Sequence, residues 1–263
     1  MNNSPVLIID SGSGGITIWK AFVNLLANES TIYIGDHANT PYGSKSKNFI
    51  QNRVIKIINS QKQNNIKLII IACNTATVAG IDVYRKKFPD VPIIGVVPVI
   101  KTAASITMSG NIAILSTDFI KKSKYQLDLI KLHAKKSKVF SIGVTSLVSL
   151  IEEGKLNQIT ANRKLKSASE KINKNHIDTV VLGCTHFPLV KDIIQKALGH
   201  KIILLDSGGA VTRHAKSVLT KNNKLAQIYN PSYTFITTGN SKIVSGNISN
   251  LINEKIVFKS KNI

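Results

Sequence analysis

Three residue types are rare in this sequence: its 263 residues include only two cysteines, two methionines and one tryptophan. So few cysteines fit a reducing compartment, and we expect a cytoplasmic protein. No apolar run approaches the roughly 20 residues that a membrane-crossing helix needs, which argues against a membrane protein. The first residues, MNNSPVLIID, lack the separate basic and apolar regions of a signal peptide, so we expect none.

Acidic residues are also scarce, with 14 Asp and Glu against 35 Lys and Arg, a net charge of +21. Such a charge attracts nucleic acids, anionic membrane surfaces or small acidic substrates. The lysines are scattered, and the clusters at 121–124 and 135–138 have few aromatic neighbours for base stacking. We interpret the charge as a solvated surface, on which any nucleic-acid binding is weak and non-specific.

Short β-branched apolar runs alternate with longer amphipathic stretches. Because the runs are continuous rather than alternating, they predict strands buried on both faces, as in parallel α/β sheets. We predict strands at 6–10, 31–35, 67–73, 92–97, 111–116, 138–144, 178–184, 201–206 and 233–239. The segment 49–61 predicts a helix with Phe49, Val54, Ile57 and Ile58 on its apolar side, and the stretch after Asp206 predicts another.

The chain also repeats itself, since the first four runs match the next four at an offset of roughly 105–111 residues. We therefore predict an α/β fold of two similar domains with mainly parallel sheets flanked by helices, related by an approximate two-fold axis. The first domain would comprise 1–98 and 208–263, and the second, 99–207, would be inserted into it. Ligands bind beyond the carboxyl ends of parallel strands, so we expect the active site in the cleft between the domains.

The two cysteines, Cys73 and Cys184, each end a predicted strand at matching positions of the repeat. A thiol between a strand and a helix lies at a helix N-terminus, where the dipole and free N–H groups lower its pKa. Two thiols facing one site could remove the α-proton of an amino acid on one face and return a proton on the other. His186, two residues after Cys184, could tune that thiol or donate a proton.

Other interpretations of the cysteines remain open at this point. They could form a disulfide, or both could be ordinary buried residues. A zinc site is less favoured, because Cys-x-His supplies two ligands and no second pair occurs at a metal spacing.

A glycine-rich loop follows the first predicted strand, within IIDSGSGGIT (8–17). Gly12, Gly14 and Gly15 would let backbone N–H groups approach an anion, with Ser11 as a further donor. Asp10 lies at the strand end, a common place for a catalytic carboxylate. A simple strand–helix turn explains the loop equally well.

A second polar loop, GDHANTPYGSKS (35–46), follows the second strand. Pro41, Tyr42 and Gly43 could form a rigid turn that presents a phenol and backbone donors to a ligand, and an ordinary surface loop is the alternative. The remaining histidines do not lie at a spacing from other residues that would indicate a catalytic or metal-binding pair. We expect surface or structural roles for His37, His133, His176, His200 and His214.

Together these segments resemble the glutamate racemases of the aspartate/glutamate racemase superfamily. The matching segments are DSGSGG (10–15), GDHANTPYG (35–43), ACNTAT (72–77), GVVPVIK (95–101), LGCTHFPL (182–189), DSGGAV (206–211) and TTGN (237–240). They span nearly the whole chain in the family's order. The resemblance implies a homodimeric enzyme that interconverts L- and D-glutamate for peptidoglycan synthesis, without pyridoxal phosphate, another cofactor or a metal.

The resemblance also implies site residues. Cys73 and Cys184 would transfer the protons, assisted by Asp10, His186 and a glutamate that is Glu152 or, alternatively, Glu153. The positions that match the family's substrate-binding residues are Asp10, Ser11, Pro41, Tyr42, Gly43, Asn74, Thr75, Thr117, Thr185 and His186.

Two positions depart from the family's pattern. Asn39 stands where many relatives carry an arginine, and Ile120 replaces a threonine that contacts substrate, while Thr117 is kept. These changes concern affinity or substrate preference rather than the reaction type. The alternatives are an aspartate racemase or another acidic amino-acid racemase of the superfamily, and, as a different class, an inactive relative that binds nucleic acid through its basic surface.

Overall fold

The computed structural model describes residues 3–227 and 230–263. The strands in these ranges are β1 (Val6–Asp10), β2 (Thr31–Gly35), β3 (Leu68–Ile71), β4 (Ile93–Gly95), β5 (Asn111–Ser116), β6 (Lys138–Gly143), β7 (Thr179–Leu182), β8 (Ile203–Leu205), β9 (Tyr233–Thr237) and β10 (Phe258–Ser260). The α-helices are α1 (Ile16–Leu25), α2 (Lys47–Asn59), α3 (Asn74–Lys87), α4 (Ile100–Ile106), α5 (Asp118–Lys121), α6 (Lys124–His133), α7 (Thr145–Glu152), α8 (Gln158–Lys174), α9 (Lys191–Leu198), α10 (Gly208–Lys221) and α11 (Ser241–Ile252).

The strands form two separate sheets in which the paired strands are parallel. One sheet has six strands in the order β10-β9-β2-β1-β3-β4, and the other has four in the order β6-β5-β7-β8. The four strands of the second sheet therefore repeat the order β2-β1-β3-β4 of the first, as the internal repeat predicts. The predicted class, two α/β units with parallel sheets flanked by helices, is confirmed.

The central strands of each sheet are buried on both faces. Successive side chains of a strand point to opposite faces and therefore join different clusters. In β1, Val6 and Ile8 join one hydrophobic cluster, while Leu7 and Ile9 join the cluster on the other face. The second sheet divides in the same way between two further clusters. Burial on both faces explains why the runs are continuously apolar rather than alternating.

The nine predicted strands are confirmed, and several end earlier than predicted. Strands β3 and β7 stop at Ile71 and Leu182, so both cysteines lie just beyond the carboxyl ends rather than within the strands. The short strand β10 was not predicted, because only Phe258 of its three residues is buried and the other two are polar. Among the residues described, no helix is both long and apolar enough to span a bilayer.

Helix α2 corrects one detail of the sequence prediction. Phe49 is 37% exposed, and Ile50 takes its predicted place in the core beside Val54, Ile57 and Ile58. The spacing from Ile50 is i, i+4, i+7 and i+8, which is the better match to one face of a helix. The helix after Asp206 is confirmed as α10.

The chain crosses between the two sheets after β4 and again before α10. The Ser207 hydroxyl, on the second crossing, donates a hydrogen bond to the Val97 carbonyl on the first, at 2.7 Å. The two crossings thus lie side by side.

Candidate active site

The carboxyl ends of strands from both sheets meet at one place. Thr75, after β3, and Thr117, after β5, have their hydroxyl oxygens 3.0 Å apart. Thr185, after β7, donates a hydrogen bond of 3.0 Å to Asp10 at the end of β1. Loops that are distant in sequence therefore come into direct contact at the edges where parallel sheets bind ligands.

A small cavity lies at this junction. Both thiols line it. The other lining residues are Ser11, Pro41, Tyr42, Gly43, Asn74, Thr75, Thr117, Val148, Thr185 and His186. Nine of the ten positions matched to substrate-binding residues are thus brought together, and the tenth, Asp10, lies behind the wall in contact with Thr185. No lysine or arginine is among the lining residues, so hydroxyl, amide and backbone groups together with one imidazole surround the space.

Cys73 lies at the N-cap of α3. Its sulfur accepts a hydrogen bond from the Ala76 N–H at 3.4 Å, and the thiol donates to the Ser11 hydroxyl at 3.6 Å. The predicted helix terminus is present, but the expected lowering of the Cys73 pKa is wrong. Burial raises the pKa of this thiol to about 12, and the nearby Asp10 charge adds to the effect. Desolvation therefore outweighs the helix terminus, and without a ligand Cys73 is a protonated thiol.

Cys184 has different surroundings. It does not begin an α-helix, because a turn and a short 3₁₀ segment, Phe187–Val190, separate it from α9. Its sulfur lies 3.8 Å from Nδ1 of His186. The N-terminal helix position predicted for this thiol is therefore wrong, and an imidazole takes the place of the helix terminus as its polar neighbour.

His186 forms a buried ion pair with Glu152, whose Oε1 lies 2.5 Å from Nε2 of the ring. Burial alone disfavours charge on the ring, but the Glu152 charge raises the pKa of His186 well above its usual value. Burial likewise opposes the carboxylate, but the His186 charge and hydrogen bond lower the pKa of Glu152 to about 2. An imidazolium therefore lies between a carboxylate and the Cys184 sulfur. Glu153, the alternative, is exposed and pairs with Lys155.

The glycine-rich loop holds this pair from the first sheet. A Cβ on Gly12 would lie 2.0 Å from the Glu152 carboxylate, and one on Gly14 would lie 2.5 Å from the His186 ring. Between the two glycines, Ser13 donates its N–H to Oε1 of Glu152 at 2.6 Å and its hydroxyl to Oε2 at 2.7 Å. The anion that this loop binds is the protein's own Glu152 carboxylate, and it is bound through Ser13.

Asp10 is completely buried next to this loop. Its two oxygens accept hydrogen bonds from the Gly12 N–H at 2.8 Å and from the Thr185 hydroxyl at 3.0 Å. Burial raises the pKa of Asp10, although the His186 charge and both hydrogen bonds oppose the rise. This carboxyl can therefore take up a proton more readily than an exposed aspartate.

The loop after β2 is anchored by Asp36, which is buried at the centre of a polar cluster. Arg53 binds its two oxygens at 2.9 and 2.7 Å, and the Tyr42 hydroxyl donates at 2.6 Å. Burial opposes ionisation, but these donors lower the pKa of Asp36. Asn39 donates to the same carboxylate at 3.0 Å. Neither Asn39 nor the fully buried Ile120 lines the cavity, so neither departure from the family's pattern forms part of its wall.

Three residues near the site were not assigned a role from the sequence. Val148 lies one helical turn before Glu152 on α7, and this i, i+4 spacing could have found it. Ser13 lies within the glycine-rich loop. His37 is not a surface residue: its side chain is 5% exposed and it lies 3.9 Å from Glu152. His133, His176, His200 and His214 are exposed, which agrees with the first of the two roles expected for them, surface or structural.

Both cysteines are free, so the disulfide interpretation is wrong in this structure. Within 3–227 and 230–263, no group of three or more His, Cys, Asp or Glu side chains is placed to hold a metal ion.

Comparison with known proteins gives one consistent result. The model of the Asp/Glu/Hydantoin racemase family matches residues 7–215. A glutamate racemase of Clostridium botulinum is 34% identical over 223 residues, which cover 85% of this chain and 86% of that protein. The crystal structure of a glutamate racemase isoform from Bacillus anthracis superposes with a TM-score of 0.90 at 29% identity, covering 100% of this chain and 99% of that one.

A third relative was solved with a ligand. The glutamate racemase from Francisella tularensis in complex with D-glutamate has a TM-score of 0.84 and 27% identity, with 99% and 98% of the two chains covered. Because the family model covers most of the chain and the relatives match it almost from end to end, the resemblance noted in the sequence is confirmed. The chain belongs to the Asp/Glu/Hydantoin racemase family and is an isomerase of the racemase type.

Proposed function

We propose that the chain is a glutamate racemase that uses Cys73 and Cys184 as two acid–base groups on opposite sides of the substrate Cα. The observation that carries the proposal is the single cavity lined by both thiols, each with its own polar neighbours. The relatives named glutamate racemase, one of them solved with D-glutamate, support glutamate as the substrate.

The reaction needs one deprotonated sulfur and one protonated sulfur. The thiolate removes the α-proton and becomes a thiol, leaving the bonding electrons on a planar carbanion. The opposite thiol then donates its proton to the other face of Cα and becomes the new thiolate. The two states of the enzyme exchange in each turnover, so the same pair works in both directions and no electrons are gained or lost.

The neighbours of each thiol fit this exchange. The buried Asp10, with its raised pKa, is the carboxyl that would receive or return a proton on the Cys73 side. On the Cys184 side, the His186 ring lies next to the sulfur and is kept charged by Glu152. We assign both as assistants of the thiols, and Glu152 as the group that orients and charges His186.

Substrate binding would depend on neutral donors. Asn74 and Thr75 begin α3, where free N–H groups and the helix dipole favour an anion. Thr117 and Thr185 add hydroxyl groups from the second sheet, and Tyr42 forms part of the facing wall. These groups would hold the two carboxylates of glutamate and stabilise the charge that develops at Cα.

We further propose that the enzyme supplies D-glutamate for peptidoglycan in the cytoplasm, as a homodimer of two-domain subunits divided into 1–98 plus 208–263 and 99–207. The separate sheets and the paired crossings at Val97 and Ser207 support this division. Size-exclusion chromatography with light scattering measures the dimer directly.

The decisive experiment is the formation of D-glutamate from L-glutamate without any added cofactor, followed by chiral chromatography. Cys73→Ala and Cys184→Ala should each abolish racemisation, because neither single thiol can serve both faces of Cα. Solvent deuterium should still enter one enantiomer in each variant, and a different one in each. His200→Gln, at an exposed position, is the matched control and should retain full activity. Full activity in either cysteine variant refutes the two-thiol assignment.

A substrate panel tests the choice of glutamate. L-aspartate and other acidic amino acids are offered under the same conditions. Faster racemisation of aspartate than of glutamate would replace the proposed substrate while keeping the two-thiol mechanism. Absence of turnover on every amino acid, combined with binding of nucleic acid that weakens steeply as salt rises, would favour the non-catalytic alternative.

A further inference from the structure

His37 is a buried titratable group that the proposed mechanism does not use. Its Nδ1 lies 3.0 Å from the Gly35 carbonyl oxygen and 2.8 Å from the Thr237 hydroxyl. Its Nε2 lies 3.2 Å from the Ser13 hydroxyl and 3.9 Å from the Glu152 carboxylate. The ring therefore lies between the end of the first sheet and the serine that holds Glu152.

The hydrogen-bond partners determine which nitrogen of the neutral ring carries hydrogen. A carbonyl oxygen can only accept, so the contact with Gly35 places the hydrogen on Nδ1. Nε2 is then an acceptor, and the Ser13 hydroxyl, 3.2 Å away, can donate its hydrogen to it. That hydrogen is also donated to Oε2 of Glu152 at 2.7 Å. His37 and Glu152 therefore share a single hydroxyl hydrogen.

The charged groups around the His37 ring act on its protonation in opposite directions. Glu152 and Asp10 favour charge on His37, and His186 opposes it. The Phe258 ring packs edge-on at 5.6 Å and offers no charge. Burial is the largest influence and lowers the pKa of His37, so near neutral pH the ring is uncharged and acts as the acceptor described above.

We propose that His37 is a positioning residue for the acid–base pair formed by Glu152 and His186. By drawing the Ser13 hydrogen partly to itself, the ring leaves more of the carboxylate charge for His186. His186 in turn lies beside Cys184. The catalytic consequence rests on the proposed function, while the effect of His37 on His186 is a property of the folded protein alone.

Two substitutions separate this role from a purely structural one. In His37→Asn, the amide nitrogen can replace Nδ1 and keep the bond to Gly35, but nothing reaches Ser13. In His37→Gln, the longer amide can replace Nε2 and accept from Ser13, while the bond to Gly35 is lost. If His37 acts through Ser13, glutamine rescues and asparagine does not. If His37 only anchors its loop, the order is reversed.

The first readout is the titration of His186, followed by NMR in protein labelled at its histidine rings. The His186 signal is identified by its disappearance in His186→Asn. In His37→Asn we expect the pKa of His186 to fall by about one unit, a tenfold change in proton affinity. In His37→Gln and in the exposed control His200→Gln it should stay at the wild-type value. An unchanged His186 titration in His37→Asn, or equal changes in both His37 variants, overturns the proposal.

The second readout is the pH profile of racemisation. In His37→Asn, the alkaline limb of the kcat/KM profile should move to lower pH by about one pH unit, as the pKa of His186 does. In His37→Gln it should stay in place. A moved limb with an unmoved His186 titration would show that His37 acts by another route and would also overturn the proposal. If the wild-type protein does not racemise glutamate, the proposed function fails, and the NMR titration still decides the role of His37.

Discussion

The close approach of Glu152 to Gly12 gives the sharpest test of the site. In Gly12→Ala, the new Cβ would lie 2.0 Å from Oε1 and 2.9 Å from Cδ of Glu152. An ordinary contact begins at 3.4 Å, so the oxygen must retreat by about 1.4 Å. That movement breaks the bond from the Ser13 N–H, 2.6 Å long, and separates Oε1 from His186.

The size of the effect follows from these contacts. The carboxylate is the far end of a flexible side chain and can shift without moving the backbone, so the fold should survive. Two hydrogen bonds of the Glu152 carboxylate are lost, to the Ser13 N–H and to His186, and each contributes about 1.5–3 kcal/mol. Hydration of the carboxylate restores part of this loss, so the free energy of unfolding should fall by about 3 kcal/mol. Displacing a positioning group by more than 1 Å costs about 10²-fold in rate, and we expect kcat/KM to fall by about that factor.

The assay combines racemisation, measured by chiral chromatography, with urea unfolding. Gly246→Ala is the matched control, because Gly246 lies exposed in α11 with no atom within 4 Å of the new Cβ. It should retain full activity and gain about 0.5–1 kcal/mol of stability from the better helix propensity of alanine. Wild-type kcat/KM in Gly12→Ala would refute the reasoning, because it would show that the reaction does not depend on where the loop holds Glu152.

Three further predictions concern buried ionisable groups. Glu152 has a pKa of about 2 in the fold against 4.5 in an unfolded chain, so its stabilising contribution is complete above pH 4.5 and is lost as the pH falls towards 2. Urea unfolding at several pH values should show this loss, and Glu152→Gln should flatten it; equal slopes would contradict the assignment. Lys67→Met leaves Glu29 buried without its ion-pair partner, 2.5 Å away, and should cost about 3–5 kcal/mol in chemical denaturation. The double variant Lys67→Met/Glu29→Gln should recover most of that loss, and failure to do so would mean that the charge is not the cause. Alkylation of Cys73 by iodoacetamide, followed by mass spectrometry, should be slower at pH 8 than that of a free cysteine and should rise about tenfold per pH unit, because the pKa of the thiol is raised to about 12; a plateau near pH 9 would be inconsistent with this.

Sequence patterns predicted most of the fold because burial on both faces of a parallel sheet leaves a direct signal. The runs from Val6 to Asp10 and from Asn111 to Ser116 match β1 and β5 residue for residue. Strand β10 was not predicted from the sequence, because two of its three residues are exposed and its formation depends on pairing with β9.

The site was predicted in part. Motif resemblance located the residues that line the cavity, because they follow strand ends in recognisable segments. The pKa of Cys73 was wrong, because a sequence shows the helix terminus but not the depth of burial or the nearby Asp10 charge. His37 was missed for a similar reason. Its partners Ser13 and Thr237 lie 24 and 200 residues away along the chain, and only the folded sheet edge brings them together.

The two thiols occupy equivalent places in the internal repeat, yet their walls differ. Cys73 begins a 14-residue helix, whereas Cys184 lies beside an imidazolium. Mirror-image substrates have equal free energies in water, so the equilibrium constant of a racemisation is one and kcat/KM must be the same in both directions. The different surroundings of the two thiols can therefore change kcat and KM of the two directions separately, but not their ratio. Whichever enantiomer is turned over faster at saturation must, in the same proportion, require a higher concentration to saturate the enzyme.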